Sequence, residues 1–309
     1  MSFLPLIMLE VMLPIFILLL LGAVLHRIYD FHLSTLSKLL TGLFLPVVIF
    51  TNISTMEVES SVLLEVGAFL LIQFFFLALF AGVCARLFGM DAKLTATFKN
   101  SVVLMNSGNF GLPVSQLVFA SNPLGVSIQI IVLMFQNFLT FTYGVFTSAT
   151  TQKTEIKENL SPLFKTPTIY ALALGLVFYI FNLSLPKAAE QVLNQIAAGF
   201  TALALLVLGA QIAYPKLKYL STVFFFTISL RLMGAPLIAL GIIWLLQLEG
   251  TIAQALFIAS SFPMSRNSAL FALEYDNYPE YAAQSVLIST ILGGLTVSVV
   301  IFLSQIWFG

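Results

Sequence analysis

The stretch NSGNFGLPVS, residues 106–115, sits within an apolar run that extends from about 94 to about 120. Two asparagines, two glycines and a proline within ten residues all work against a regular helix in hydrocarbon. Pro113 has no amide hydrogen, and its ring clashes with the carbonyl four residues back, so it frees the carbonyl of Asn109. Gly108 and Gly111 lower the cost of unusual backbone angles beside it. Non-helical backbone at membrane depth survives only where protein or water satisfies it. The stretch therefore predicts a transmembrane helix opened near its middle. Asn106 and Asn109, three residues apart, are expected to share a helix face.

The rest of the chain sets that break in a bilayer. Of 309 residues, 60% are hydrophobic and only 8% charged, with a mean hydropathy of +1.04. Soluble domains carry about 25% charged residues, so this surface must meet lipid. The net charge is zero, which gives no reason to expect a nucleic-acid partner. The single cysteine, Cys84, excludes an internal disulfide framework. Apolar runs near 8–25, 33–53, 62–88, 94–120, 124–148, 166–184, 188–213, 219–247, 251–275 and 281–307 predict ten transmembrane helices. The first lacks an n-region charge and an A-x-A-like site, so it reads as a retained helix rather than a signal peptide. A polar linker at 151–165 separates two sets of five.

If loops alternate sides, one side holds ten of the 13 Lys and Arg residues and the other only Lys187. By the positive-inside rule, both termini face the outer, periplasmic side of an inner membrane and the linker is cytoplasmic. An odd number of helices per half forces the second half, 166–309, to enter with the orientation opposite to the first, 1–150. This is the setting for two inverted five-helix repeats in an all-α polytopic membrane protein. Pro263, in ASSFPMSRNS (259–268), lies 150 residues after Pro113, in the ninth predicted helix, among similar small and polar residues.

Each break is expected to present the N-terminus of a half-helix, with unpaired N–H groups and partial positive charge. Two such ends form a site for an anion. The candidate substrate-binding residues are Asn106, Asn109, Gly111, Pro113, Pro263, Arg266 and Asn267. Arg266 has two readings: a counter-charge for a carboxylate, or a structural arginine that bonds broken-helix carbonyls or snorkels. Arg231 reads as structural, tying helices together, and Glu65 as interfacial. Gln73, Gln116, Gln136 and Asn137 are expected to face the bundle interior. No enzyme signature, ATP-binding glycine loop, cofactor motif or metal-ligand grouping stands against this reading, and His26 and His32, which flank a loop, have no neighbours in the sequence at metal-ligand spacing. A coupling Na+ or H+ stays open.

The segments MNSGNFGLPVSQLVFA (105–120) and SSFPMSRNSALFALEYDNYPEYAAQSVLIST (260–290) resemble the paired motifs of the auxin efflux carrier family, bacterial members in particular. That family lies within the bile-acid/sodium symporter-like fold. The resemblance implies a scaffold of helices 1, 2, 6 and 7, and a transport domain of helices 3–5 and 8–10 whose broken helices 4 and 9 cross at their prolines. It also implies a homodimer, an elevator-like movement and a small organic anion as substrate. The short linker and Arg266 depart from the auxin-transporting pattern and favour small carboxylates such as malonate or malate. The expected function is a secondary carrier of organic anions. Alternatives are a sodium- or proton-coupled importer, and a non-transporting sensor using the same pocket.

Overall fold

The computed structural model describes residues 13–55, 60–149, 167–213 and 218–309; the polar linker predicted at 151–165 lies outside them. The described chain is helical: α1 (Leu13–Tyr29), α2 (Leu33–Ser54), α3 (Ser60–Leu87), α4 (Ala92–Val103), α5 (Leu112–Val118), α6 (Pro123–Ala149), α7 (Pro167–Ile180), α8 (Lys187–Gln211), α9 (Thr222–Leu246), α10 (Gly250–Ser260), α11 (Arg266–Glu274) and α12 (Pro279–Phe308). Six of these (α2, α3, α6, α8, α9 and α12) are long and apolar enough to cross a membrane. No β-strand occurs among the described residues.

The longest helices, α3 and α12 among them, are apolar nearly all round, as buried or lipid-facing helices must be. On α3, Leu64, Leu71, Phe75 and Leu79 are exposed, while Val66, Phe69, Leu77 and Ala81 on the other side are buried. The exposed stripe suits lipid and the buried one meets protein. Glu65 is exposed near the start of α3, where an interfacial residue belongs.

Side-chain caps fix several starts. Asp91 accepts a hydrogen bond from the Leu94 amide at the head of α4, Ser221 from Phe224 at α9, and Ser265 from Asn267 at α11. Each supplies an oxygen to an amide that the first turn leaves unpaired.

Among the described residues, four stretches form a π-turn: Leu40–Phe44, Ser107–Gly111, Thr140–Gly144 and Leu230–Gly234. Three of them are followed two residues on by a proline, namely Pro46, Pro113 and Pro236. A π-turn bonds five residues apart instead of four. The wider turn accommodates a residue that lacks an N–H and crowds the carbonyl behind it.

Contacts sort the chain into two compact units. The first gathers described residues of 1–59, 108–130 and 162–213; the second gathers those of 60–107, 131–161 and 214–309.

In the first unit α1 and α8 approach backbone to backbone. A Cβ added at Gly22 would lie 2.0 Å from the Leu206 carbonyl oxygen, and one added at Gly209 would lie 2.0 Å from that of Leu19. Each glycine faces the carbonyl three residues before the other, so the contact is reciprocal about a local two-fold.

In the second unit Phe98, Val102 and Leu104 pack with Leu139, Leu230 and Phe271 in one buried cluster. The loop between α11 and α12 is strapped to α4. Tyr278 donates to Asp91 at 2.6 Å and Lys93 bonds Asp276 at 2.7 Å. Asn277 accepts from Thr97 through its carbonyl and donates to the Ser148 carbonyl at 3.0 Å. Asp276 and Tyr278 take left-handed backbone angles (φ 53° and 51°), strained for non-glycine residues. These bonds hold them there.

Candidate functional site

The helical path is interrupted between α4 and the Ser107 π-turn, and again between α10 and α11. α4 and α10 have 12 and 11 residues. At 1.5 Å per residue each is about 16–18 Å long, roughly half the hydrocarbon thickness. The two interruptions meet inside the second unit. Met105 pairs with Met264 in an antiparallel bridge. The Asn106 amide donates to the Pro263 carbonyl at 2.9 Å, and the Ser265 amide to the Leu104 carbonyl at 2.9 Å.

An opened backbone in an apolar interior must find partners for every N–H and C=O. The Met105 amide donates to Gln136 Oε1 at 3.3 Å, and the Met264 amide to Ser289 Oγ at 3.2 Å. Pro263 has no amide to satisfy. The carbonyls at the ends of both half-helices converge on Arg231. Its Nη1 donates to Val102 at 3.0 Å, its Nη2 to Ser260 at 2.7 Å and its Nε to Phe262 at 2.9 Å, and Met105 Sδ lies 3.6 Å from Nη2. Arg231 is 1% exposed and none of these acceptors is a carboxylate.

The charge is matched instead by two helix C-termini, each carrying roughly half a unit of negative charge. Arg231 thus ties helices together, as its sequence context suggests, and α9 carries it in the π-turn Leu230–Gly234.

Beyond the crossing, α11 starts with Ser265 as its cap, followed by Arg266 and Asn267, both half-buried. Asn106 is 9% exposed and Ser265 6%. Of the seven predicted binding residues, Asn106, Pro263, Arg266 and Asn267 belong to the second unit, and Asn109, Gly111 and Pro113 to the first.

Two expectations change. The first opening falls at residues 104–106, ahead of Pro113, which sits at the second position of α5, directly after a π-turn. Pro113 is absorbed by that turn, and the half-helix begins at Ser107. Asn106 and Asn109 consequently do not share a helix face: Asn106 is in extended backbone bonded to Pro263, and Asn109 is inside the π-turn. Pro263, by contrast, stands in the second opening itself.

The carbonyls that Arg231 takes, those of Val102, Ser260 and Phe262, are not the Asn109 carbonyl that Pro113 was expected to free. Gln136 and Ser289 also escaped the sequence reading as crossing residues. Gln136 and Gln73 are buried as expected, whereas Asn137 and Gln116 are half-buried, the latter bonded to Thr201. A cavity of about 10 Å³ lies beside the crossing, lined by Gln73, Gln136, Met105 and Arg231 among others. It has room for about one water, far below the 300–1,000 Å³ of an organic-ligand pocket.

Apolar helices, two of them opened at mid-length and stitched together around a buried arginine, have the build of a membrane carrier. Comparison with known proteins agrees. The profile of the membrane transport protein family matches residues 7–165 and 154–301, and the chain belongs to that family, the auxin efflux carrier type. It is similar to an uncharacterized transporter of Methanothermobacter thermautotrophicus, 26% identical over 292 residues that cover 92% of this chain and 94% of the relative. It is also similar to an uncharacterized transporter of Methanocaldococcus jannaschii, 26% identical over 278 residues, 86% and 88% of the two chains. Both relatives are archaeal rather than bacterial.

Proposed function

We propose that this protein is a secondary transporter of small organic anions, carboxylates of the malonate or malate type, working by elevator-like alternating access. One observation carries the anion reading. Arg231 neutralises the negative ends of both half-helices, α4 and α10. The positive N-terminal turn of α11 remains, with the cationic Arg266 in it and Asn267 beside it. The crossing is thus electropositive on the α11 side, and a helix N-terminus with a neighbouring arginine suits a carboxylate. Every carboxylate among the described residues is exposed, so none competes for that place in the interior.

The two compact units support the two-body mechanism. One collects α1, α2, α7 and α8 with α5 and the start of α6; the other collects α3, α4 and α9–α12. This division follows a scaffold of helices 1, 2, 6 and 7 and a transport domain of helices 3–5 and 8–10 except at 108–130, the second half of helix 4 and the start of helix 5, which group with the scaffold helices. Two inverted five-helix repeats, in an inner membrane with both termini outside, complete the reading, as does a homodimeric assembly.

Uptake of radiolabelled carboxylates into proteoliposomes tests it. Wild type accumulates at least one of them. Arg266→Gln and Asn267→Ala lose most of that uptake while melting close to wild type. Full uptake by both variants refutes the assigned site. Saturable binding with no flux would instead make the protein a sensor.

A further inference from the structure

Unwound carbonyls at half-helix C-termini are the groups with which many carriers hold a coupling cation. In this chain three carbonyls beside the crossing, those of Val102, Ser260 and Phe262, accept from the Arg231 guanidinium at 2.7–3.0 Å. Carbonyl oxygens are the chemistry that holds such a cation, and here a guanidinium takes one with each of its nitrogens. The cation here is covalently attached, delivered by α9 from a different part of the sequence, and almost wholly buried.

A tethered cation cannot leave with the substrate, so it cannot link a sodium gradient to flux. No buried carboxylate occurs among the described residues to complete a sodium site or to ferry a proton through the interior. The adjoining 10 Å³ cavity has room for about one water.

We infer that Arg231 is a built-in replacement for a coupling cation, so that the crossing is held together, and anion movement proceeds, without sodium bound there. The inference deepens the anion-carrier reading and rests on it for the flux measurement alone. Three consequences follow. The protein's stability should ignore the identity of the bulk cation. Anion flux should run down the substrate's own gradient or by exchange. Removing the side chain should create a site for a free cation, with guanidinium fitting better than sodium because it replaces the lost group's planar donors.

The test uses the purified full-length chain. Melting temperature and carboxylate uptake of wild type are measured in sodium, potassium and choline salts at equal ionic strength. Both are expected to be the same in all three. A saturable rise in melting temperature with sodium, or uptake that fails without sodium, overturns the inference.

Arg231→Ala then removes that guanidinium. Its melting temperature is expected to fall and to be raised saturably by low-millimolar guanidinium. Sodium should raise it less, and choline not at all. A folded Arg231→Ala protein that melts like wild type, or that is indifferent to guanidinium, also overturns it.

Should Arg231→Ala fail to fold, Arg231→Lys keeps a tethered charge with fewer bonds. It is expected to melt lower than wild type yet to stay indifferent to sodium, and a sodium response there refutes the idea. If wild type moves no carboxylate under any condition while the melting results hold, the carrier reading falls and the role of Arg231 stands.

Discussion

Replacing Gly209 by alanine puts a methyl group where the backbone of α1 already is. The added Cβ would lie 2.0 Å from the Leu19 oxygen, 2.7 Å from its carbonyl carbon and 2.8 Å from its Cα. None of these atoms can turn aside as a side chain can. Comfortable contact needs roughly 3.5 Å, so α1 and α8 must separate by more than about 1 Å. Overpacking of this kind costs about 1–3 kcal/mol, and more where backbone must move.

Separation also loosens the reciprocal contact of Gly22 with Leu206, one turn away on the same pair of helices. Gly209→Ala should therefore lower the melting temperature in detergent markedly, and Gly22→Ala should do the same. The double variant should lose less than the sum of the two, because one separation relieves both clashes. Gly241, in α9, has nothing within 4 Å of an added Cβ. Its alanine variant should melt at or slightly above wild type. Wild-type melting of Gly209→Ala, or strict additivity in the double variant, would refute the close approach.

Two further outcomes are expected in the second unit. Gly293→Ala places a Cβ 3.1 Å from Pro263 Cβ and 3.3 Å from its Cγ; a shift of a few tenths of an ångström, costing about 1 kcal/mol, should reduce carboxylate uptake more than melting temperature, and unchanged uptake would count against the crossing as the working part. Asp91 accepts the Leu94 amide and the Tyr278 hydroxyl, which together hold its carboxyl below the ordinary aspartate value. A depressed folded value means the stabilisation is present above the unfolded pKa and lost as pH falls through the folded one. Asp91→Ala should accordingly lose about 1 kcal/mol at neutral pH. Melting curves across pH should show that loss shrinking below about pH 4, and a loss undiminished at the acid end would refute it.

Membrane character and most helix positions were legible because hydropathy is written locally. The run read as 62–88 is α3, Ser60–Leu87, and the run read as 281–307 is α12, Pro279–Phe308. The second opening was legible because Pro263 stands in it. The first was misplaced because a proline constrains only the turn behind it, and the Ser107 π-turn absorbs that constraint. Leu104 and Met105 carry no breaking signal of their own, and Asn106 alone carries only a weak one. All three are extended because Pro263 and Ser265 pair with them from more than 150 residues away, and no local pattern records such pairing. A trace of the π-turns was present: Gly42, Gly111 and Gly234 each precede a proline by one to four residues. The carbonyls that Arg231 would reach could not be read, since a buried arginine can find acceptors on any neighbouring helix.

The bonds between Asn106 and Pro263, and between Ser265 and Leu104, bear on movement. A kink left to water would bend, but these two spend their main-chain bonds on each other and on one arginine. Flexing either alone would strand several polar groups in an apolar interior, each at about 1–3 kcal/mol. The crossing is a rivet rather than a hinge, so whatever changes shape during a transport cycle must do so around it.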